Sequence, residues 1–210
     1  MIQVFDVVKM YDGSNPVLDS FSMEIAKGEF VFLTGSSGAG KTTILKILFG
    51  QERFEKGQVL VHGINVGKLT HKNMYTLRRF MGVVFQDYKL LPNKTVFENV
   101  SFAQEVIGRD RKTIRFKTWE ALKNVGLTLK KDTYPACLSG GEQQRIAIAR
   151  AMVNEPSIIL ADEPTGNLDP DISIEILKLF EELNKKGTTI IFATHSQEII
   201  KLGEHRIINL

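Results

Sequence analysis

The sequence contains a single cysteine and no apolar stretch long enough to cross a bilayer. Cys137 cannot form a disulfide within the chain, which favours a reducing intracellular environment. A membrane-spanning helix needs about 20 apolar residues, whereas the longest purely apolar runs, such as 158–161 and 190–193, contain four. The amino terminus lacks the basic start and apolar stretch of a signal peptide. We therefore expect a soluble, intracellular protein.

A strong excess of charge of one sign is also missing. The 27 Lys and Arg residues and 24 Asp and Glu residues give a net charge of +3, too small to indicate a nucleic-acid partner. The hydrophobic fraction of 43% is ordinary for a soluble globular chain and excludes a disordered one. No low-complexity tract or Pro/Gly/Ser-rich linker interrupts the 210 residues. The sequence therefore predicts a single domain over residues 1–210.

Three continuous apolar runs alternate with segments of helical periodicity. The runs are Glu29–Thr34, Ser157–Ala161 and Thr188–Thr194. Continuous apolar runs are typical of strands buried on both faces of a parallel sheet. Between the last two runs, the pattern predicts a helix that begins at Asp169-Pro170 and ends at Gly187. Its apolar face comprises Ile172, Ile176, Leu179, Phe180 and Leu183. We predict an α/β fold with a mainly parallel sheet.

Residues 87–156 follow a different pattern and are predicted to form a helical subdomain inserted on the sheet. Its central helix is expected at 113–125. The apolar residues on one side of that helix are Phe116, Trp119, Leu122 and Val125. Residues 109–131 include eight Lys or Arg and two acidic residues, so this segment carries +6 and the rest of the chain −3. Two interpretations stay open, a solvated basic face and a docking surface for an acidic partner.

A glycine-rich segment between a predicted strand and a predicted helix matches the phosphate-loop pattern G-x-x-x-x-G-K-[ST]. Its glycines let successive backbone N–H groups converge on a phosphate, and the helix start adds a positive dipole. Lys41 would reach the β- and γ-phosphates, and the Thr42 hydroxyl suits Mg²⁺. A plain glycine-rich turn is the alternative. The predicted nucleotide-binding residues are Gly35, Ser36, Ser37, Gly38, Ala39, Gly40, Lys41, Thr42 and Thr43.

Polar residues follow the second and third apolar runs. Asp162 and Glu163 belong at the carboxyl end of a strand, where ligands bind in open α/β folds, because charge is costly inside a sheet. Asp162 suits the coordination shell of Mg²⁺, and Glu163 suits orienting and deprotonating an attacking water. His195 follows the third run and is predicted to contact the γ-phosphate. Surface acids, a helix cap and a structural histidine are the alternatives.

The segment 138–145, L-S-G-G-E-Q-Q-R, begins another predicted helix. Ser139 and Glu142 have the spacing of a capping box. Two consecutive glycines weaken a helix start unless something must approach the backbone. Free N–H groups and a serine hydroxyl at a helix start form an anion site. Ser139, Gly140 and Gly141 are therefore predicted to be a second phosphate-type site.

The motifs G-S-S-G-A-G-K-T, L-S-G-G-E-Q-Q-R, I-I-L-A-D-E-P-T-G-N-L-D and A-T-H, in this order, resemble the ATP-binding cassette (ABC) nucleotide-binding domain over essentially the whole chain. The resemblance implies a P-loop NTPase fold with an N-terminal antiparallel β part and a helical insert. It also implies a head-to-tail homodimer, in which the serine-glycine motif of one subunit closes on the γ-phosphate held by the other.

The resemblance assigns roles to three further residues. Gln86 matches the glutamine that contacts Mg²⁺ and water, Tyr11 matches the aromatic residue that stacks on adenine, and Asp169 matches a residue that crosses the dimer. One departure is Ser196, since the family commonly has Asp after the histidine. That departure leaves the hydrogen bonds beside the histidine open.

Within this family, residues 85–91 and 161–169 are most similar to cassettes of the cell-division type. That similarity implies an ATPase with ATP and Mg²⁺ as cofactors. It would work peripherally at the cytoplasmic face of the plasma membrane through a separate polytopic membrane protein. Cassettes for lipoprotein release or macrolide export share these motifs and stay an alternative.

Two further classes of function are alternatives to a membrane complex. A soluble ATPase that acts on DNA would insert a long coiled coil between the phosphate loop and the serine-glycine motif, and Lys41 and Ser139 are too close for one. Ribosome-acting relatives carry two cassettes, and this chain shows one. A P-loop kinase for a small molecule would leave the serine-glycine motif unexplained.

Overall fold

The computed structural model describes residues 1–11, 13 and 15–210, which form alternating strands and helices. The strands are β1 (Ile2–Met10), β2 (Pro16–Ile25), β3 (Phe30–Thr34), β4 (Lys56–Val61), β5 (Ile64–Asn65), β6 (Met81–Val84), β7 (Ile158–Asp162), β8 (Thr189–Ala193) and β9 (Arg206–Asn209). The α-helices are α1 (Lys41–Leu48), α2 (Met74–Arg78), α3 (Val96–Glu105), α4 (Arg111–Asn124), α5 (Gly140–Met152), α6 (Pro170–Lys185) and α7 (Gln197–Leu202). Across these described residues, none of the helices has the length and apolar character needed to span a membrane.

The strands form one parallel and one antiparallel sheet. The parallel sheet has the order β6-β7-β8-β3-β9. The antiparallel sheet has the order β2-β1-β4-β5. The predicted α/β fold with a mainly parallel sheet, an N-terminal antiparallel part and inserted helices is confirmed.

The central strands are apolar throughout because each of their faces enters a different core. Along β3, Phe30 and Phe32 enter the core that contains the inserted helices, whereas Val31 and Leu33 enter the core that contains the antiparallel sheet. Strands β7 and β8 divide their side chains between the same two cores. Each fully buried side chain of this size contributes about 1.5–3 kcal/mol. Burial on both faces therefore explains why these strands lack polar alternation.

The parallel register brings the carboxyl ends of four strands to one edge. Val84 pairs with Ala161, Asp162 with Ala193, and Ala193 with Leu33. The loops that follow β6, β7, β8 and β3 therefore leave the sheet side by side. In open α/β sheets, this edge is where ligands bind.

Helices α3, α4 and α5 pack against one another within residues 87–156. The apolar side predicted for α4 is buried only near the end of the helix, at Leu122 and Val125. Phe116 and Trp119 are instead 59% and 45% exposed. The division of the chain into one domain with this helical subdomain stays a prediction.

Asn99 of α3 fastens the loop that precedes its own helix. Its side chain is fully buried, and its Oδ1 accepts a hydrogen bond of 2.8 Å from the Leu91 amide. Its Nδ2 donates to the carbonyl oxygens of Leu91, Lys94 and Thr95 at 3.1, 2.9 and 3.0 Å. One side chain therefore holds both ends of the loop.

We expect Asn99→Ala to lower the free energy of unfolding by about 2 kcal/mol, because it leaves buried backbone groups without partners. Urea unfolding followed by the fluorescence of Trp119, the single tryptophan, measures the change. Asn93→Ala, an exposed position in the same loop, is the matched control and should change the value by less than about 0.5 kcal/mol. Equal stability of the two variants would contradict this role of Asn99.

Candidate functional site

The phosphate loop lies between β3 and α1, as its motif predicts. Gly35, Gly38 and Gly40 have φ values of 148°, 84° and 102°, a range that favours glycine. A Cβ atom on Gly40 would lie 2.8 Å from Leu18 Cδ2 and 3.0 Å from the Val17 carbonyl oxygen. The conformation of the loop and its close approach to β2 therefore both require glycine.

The start of α1 is available to an anion. In the described part of the chain, no side chain caps this helix and its first turn contains no acidic residue. The N–H groups of the first turn and the positive end of the helix dipole can therefore serve a phosphate. The Lys41 ammonium donates to the carbonyl oxygens of Gly35 and Ser36 at 2.8 and 3.1 Å, which holds it across the loop.

Thr42 and Asp162 together present oxygen atoms that suit Mg²⁺. Thr42 Oγ1 donates to Asp162 Oδ1 at 3.1 Å. Burial, together with the neighbouring Glu163, raises the pKa of Asp162 despite this hydrogen bond, and a cation would favour the ionised form. Mg²⁺ commonly uses one or two protein ligands together with phosphate oxygens and water. The two side chains therefore fit an Mg²⁺ ion.

The metal would depend on the nucleotide for its remaining ligands. Within residues 1–11, 13 and 15–210, no group of three or more His, Cys, Asp or Glu side chains is placed to hold a metal ion. Phosphate oxygens and water would therefore have to complete a site built from Thr42 and Asp162.

Glu163 lies between a histidine and the phosphate-loop lysine. Its Oε1 is 2.9 Å from His195 Nδ1 and 3.6 Å from Lys41 Nζ. Its Oε2 is buried and accepts no hydrogen bond from the described residues. The carboxylate is thus oriented through one oxygen, while the other oxygen is buried and has no hydrogen-bond partner among the described residues.

The backbone at Glu163 is strained and firmly held. Its φ of 45° is unfavourable for a residue with a side chain and costs about 1–3 kcal/mol. Its N–H donates to the Ala193 carbonyl oxygen at 2.9 Å, and its carbonyl oxygen accepts from Gly166 at 3.1 Å. The first bond continues the pairing of β7 with β8 by one residue, and the second closes a turn after Glu163, so the backbone that carries the carboxylate is held on both sides.

Gln86 follows β6 and reaches the same edge of the sheet. A Cβ atom on Gly166 would lie 3.7 Å from Gln86 Nε2 and 3.6 Å from Glu163 Cβ. The amide group therefore lies beside the segment that carries Glu163. Its role toward Mg²⁺ and water stays a prediction.

Tyr11 lies beside the phosphate loop with about half of its surface exposed. Its phenol oxygen is 3.3 Å from Thr43 Oγ1, which places the ring next to the first turn of α1. The ammonium of Lys9 lies 4.9 Å from the ring centre and pairs with Glu55 at 3.4 Å. The sequence does not predict Lys9 beside Tyr11, because its ion pair joins β1 to Glu55, which is far along the chain.

Ser139 and Asp169 lie at helix starts. Ser139 Oγ accepts from the Glu142 amide at 3.3 Å, and Glu142 Oε2 accepts from the Ser139 amide at 3.0 Å, so the predicted capping box is present. Asp169 precedes α6, and among the described residues its side chain makes no capping bond. Within the same described part, neither residue hydrogen-bonds to the phosphate loop.

The two glycines after Ser139 are also needed for packing. A Cβ atom on Gly141 would lie 2.7 Å from Ile172 Cγ2, and one on Gly140 would lie 3.1 Å from the Tyr88 hydroxyl. The sequence analysis attributed these two glycines to the approach of a ligand. Close packing against Ile172 and Tyr88 also explains them. One chain brings the phosphate loop, the two carboxylates, His195 and Gln86 together, whereas the predicted second phosphate-type site at Ser139 stays a prediction.

Comparison with known proteins places these features in a family. The family described as ABC transporter matches residues 18–166. The cell division ATP-binding protein FtsE of Streptococcus pneumoniae serotype 2 is 50% identical over 208 residues, covering 99% of this chain and 90% of that protein. FtsE of Bacillus subtilis is 47% identical, with 99% and 91% covered, and FtsE of Escherichia coli is 43% identical, with 100% and 95% covered.

Solved structures agree in fold. A dimeric ATP-binding cassette in a post-hydrolysis state, bound to ADP and Pi, matches with a TM-score of 0.91 and 35% identity, covering 100% of this chain and 94% of that one. A dimeric bacterial ABC transporter cassette matches with the same score and coverage at 37% identity. The ordered motifs, the geometry of the site and the family match agree, and this chain belongs to the ABC transporter family of ATP-binding cassettes.

Proposed function

We propose that this chain is the ATP-hydrolysing subunit of a cell-division complex, in which it dimerises on ATP and drives a separate polytopic membrane protein. The observation that carries the catalytic part is the arrangement of Glu163, whose carboxylate is held beside the phosphate loop by His195 and Lys41 through one oxygen. The cell-division part is supported by relatives at 43–50% identity over nearly the whole chain that carry the name FtsE.

In this proposal, the residues at the sheet edge divide the work of phosphoryl transfer to water. The N–H groups of the phosphate loop and Lys41 hold the β- and γ-phosphates. Thr42 and Asp162 would hold Mg²⁺, to which Gln86 would contribute, and the ion would neutralise charge at the phosphates. Glu163 orients the water and accepts its proton, while His195 holds the carboxylate and contacts the γ-phosphate. Positioning and charge then account for most of the catalysis.

A second copy of the chain completes the site. The described residues of one chain leave Ser139, Gly140, Gly141 and Asp169 without a hydrogen bond to their own phosphate loop. In a head-to-tail homodimer, these residues would close on the γ-phosphate held by the partner subunit. The similar cassettes described above are dimeric, and one holds ADP and Pi, which supports ATP-dependent closure of this chain.

The membrane partner is proposed to be an FtsX-like protein of the cell-division machinery, which would place this chain at the cytoplasmic face of the plasma membrane. Nucleic acid has no part in the proposal. Two surfaces are candidates for the contact. One is the loop after Gln86, with Tyr88, Leu90 and Leu91. The other is the exposed side of α4, where Arg111, Lys112, Arg115, Phe116 and Trp119 line an open groove of about 1310 Å³. Glu98, Glu105 and Asp132 also line the groove, so unlike charges would favour an acidic, partly apolar segment only along its α4 side.

We expect Glu163→Gln to keep ATP binding but to lower hydrolysis by about 100-fold or more, because an amide cannot accept the proton of the water. The variant should also accumulate as an ATP-bound dimer. Phosphate release and gel filtration with ATP measure the two effects. Glu182→Gln, at an exposed position of α6, is the control and should behave as wild type. Hydrolysis near the wild-type rate in Glu163→Gln would show that Glu163 is not the general base.

We expect Tyr11→Ala to weaken ATP binding about tenfold, since a base stacked on an aromatic ring is worth about 1–3 kcal/mol. Tyr11→Phe should bind ATP nearly as wild type, because the ring is kept and only the hydroxyl beside Thr43 is lost. Calorimetric titration of each variant with ATP measures the affinity. Tyr75→Ala removes a tyrosine of similar exposure and serves as the control. Equal affinity of Tyr11→Ala and wild type would show that Tyr11 does not stack on adenine.

Charge reversal at Arg111, Lys112 and Arg115 to Glu should weaken co-purification with the membrane partner about tenfold, because the groove would repel an acidic segment. ATP binding by the isolated chain should stay unchanged. Reversal at the exposed Lys178 and Lys185 of α6 and at Lys186, which follows the helix, is the matched control. Unchanged co-purification of the α4 variant would show that this basic face is solvated and does not bind the partner.

A further inference from the structure

The loop that follows Gln86, here called the glutamine loop, has a strained backbone conformation that needs contacts from other parts of the structure. Tyr88 and Lys89 are consecutive and have positive φ values of 58° and 48°. Non-glycine residues persist in this region only when the surrounding structure determines it. Inside the loop, the Tyr88 amide donates to Phe85 at 3.1 Å and the Lys89 amide donates to Asp87 at 2.6 Å. These bonds use the amides of Tyr88 and Lys89 but leave their carbonyl oxygens to be satisfied elsewhere.

Arg150 of α5 supplies those partners. One terminal nitrogen of its guanidinium donates to the Lys89 carbonyl oxygen at 2.7 Å, and the other donates to the Tyr88 carbonyl oxygen at 2.7 Å. A planar guanidinium presents two N–H groups in a fixed fork, which a lysine ammonium cannot reproduce. Burial lowers the pKa of the Arg150 guanidinium, yet an arginine keeps its charge at neutral pH. The contact is therefore a charge-assisted pair of bonds to the two strained residues.

The same loop also contacts the other end of α5. The Tyr88 hydroxyl lies 3.1 Å from where a Cβ atom on Gly140 would be, and the Tyr88 side chain packs against the core that contains α5. Gly140 is in the first turn of the helix, immediately after Ser139. The loop is thus joined to α5 by its backbone at Arg150 and by its side chain at Gly140. Because α5 is one continuous helix, movement of its start and movement of the loop are mechanically linked.

We propose that Arg150 is a positioning residue that joins the glutamine loop to the helix of the serine-glycine motif, so that the two ATP sites of a dimer respond together. The proposal rests on the dimeric function proposed above. In such a dimer, Gln86 serves the site of its own phosphate loop, whereas Ser139 serves the partner's site. Arg150 then transmits a change at one site to the other within a single chain. It touches neither nucleotide, so its effect must be indirect.

The test compares Arg150→Ala and Arg150→Lys with wild type. The readouts are the ATP affinity, the kcat per bound ATP and the Hill coefficient of hydrolysis. We expect ATP affinity within about twofold of wild type, because the phosphate loop is intact, and kcat lowered about tenfold or more by a misplaced loop. The Hill coefficient should fall toward that of independent sites. Arg150→Lys should give kcat and Hill coefficient values between those of wild type and Arg150→Ala, since lysine keeps the charge but lacks the two-pronged guanidinium.

The matched control is Arg78, whose guanidinium also bridges two consecutive carbonyl oxygens. It donates to the carbonyl oxygens of Phe49 and Gly50 at 3.3 Å each, at the end of α1 and not to the glutamine loop. Arg78→Ala and Arg78→Lys should keep the wild-type kcat and Hill coefficient. A variant that is partly unfolded would contain fewer molecules that bind ATP. Expressing kcat per bound ATP corrects for that loss.

The outcomes separate this inference from the proposed function. Wild-type protein that neither hydrolyses ATP nor dimerises would overturn the proposed function. Active, cooperative wild type with unchanged kcat and Hill coefficient in Arg150→Lys and Arg150→Ala would overturn the role of Arg150 alone. If Arg150→Ala does not fold, Arg150→Lys decides: a wild-type Hill coefficient refutes the coupling, and a reduced one supports it.

Discussion

The parallel pairing of β7 with β6 on one side and β8 on the other is the constraint on which the site depends. Its register places Asp162 at the end of β7 and brings Gln86 and His195, just beyond the ends of β6 and β8, to the same edge. The pairing is stabilised by burial of the strands on both faces, so the positions of the catalytic groups follow from the packing of two cores.

The chemistry at this edge uses groups that are costly to place. Glu163 combines a strained backbone with a buried carboxylate oxygen that has no partner among the described residues. The phosphate loop holds glycines in conformations that other residues avoid, and the start of α1 presents unused N–H groups. Each feature is unfavourable for an isolated fold but suits an anionic ligand and a water molecule. This is the pattern expected where function outweighs local stability.

Two polar side chains hold loop backbone within residues 87–156. Asn99 holds the loop before α3 through a buried amide, and Arg150 holds the two strained residues of the glutamine loop. Such contacts define geometry more sharply than apolar packing because hydrogen bonds are directional.

The sequence by itself determined the features that are local in the chain. Continuous apolar runs identified β3, β7 and β8, and short motifs identified the phosphate loop and the capping box at Ser139, because neighbouring residues alone specify them. The side chains after β7 and β8 could be placed at one edge because parallel strands end together.

Only the tertiary structure decided how distant residues meet. It placed Glu163 between His195 and Lys41, exposed Phe116 and Trp119, and brought Arg150 to the carbonyl oxygens of the glutamine loop. These contacts depend on the distance and direction between segments far apart in sequence, and such distances are set by packing. A single sequence contains the periodicity of each element but not the geometry between elements.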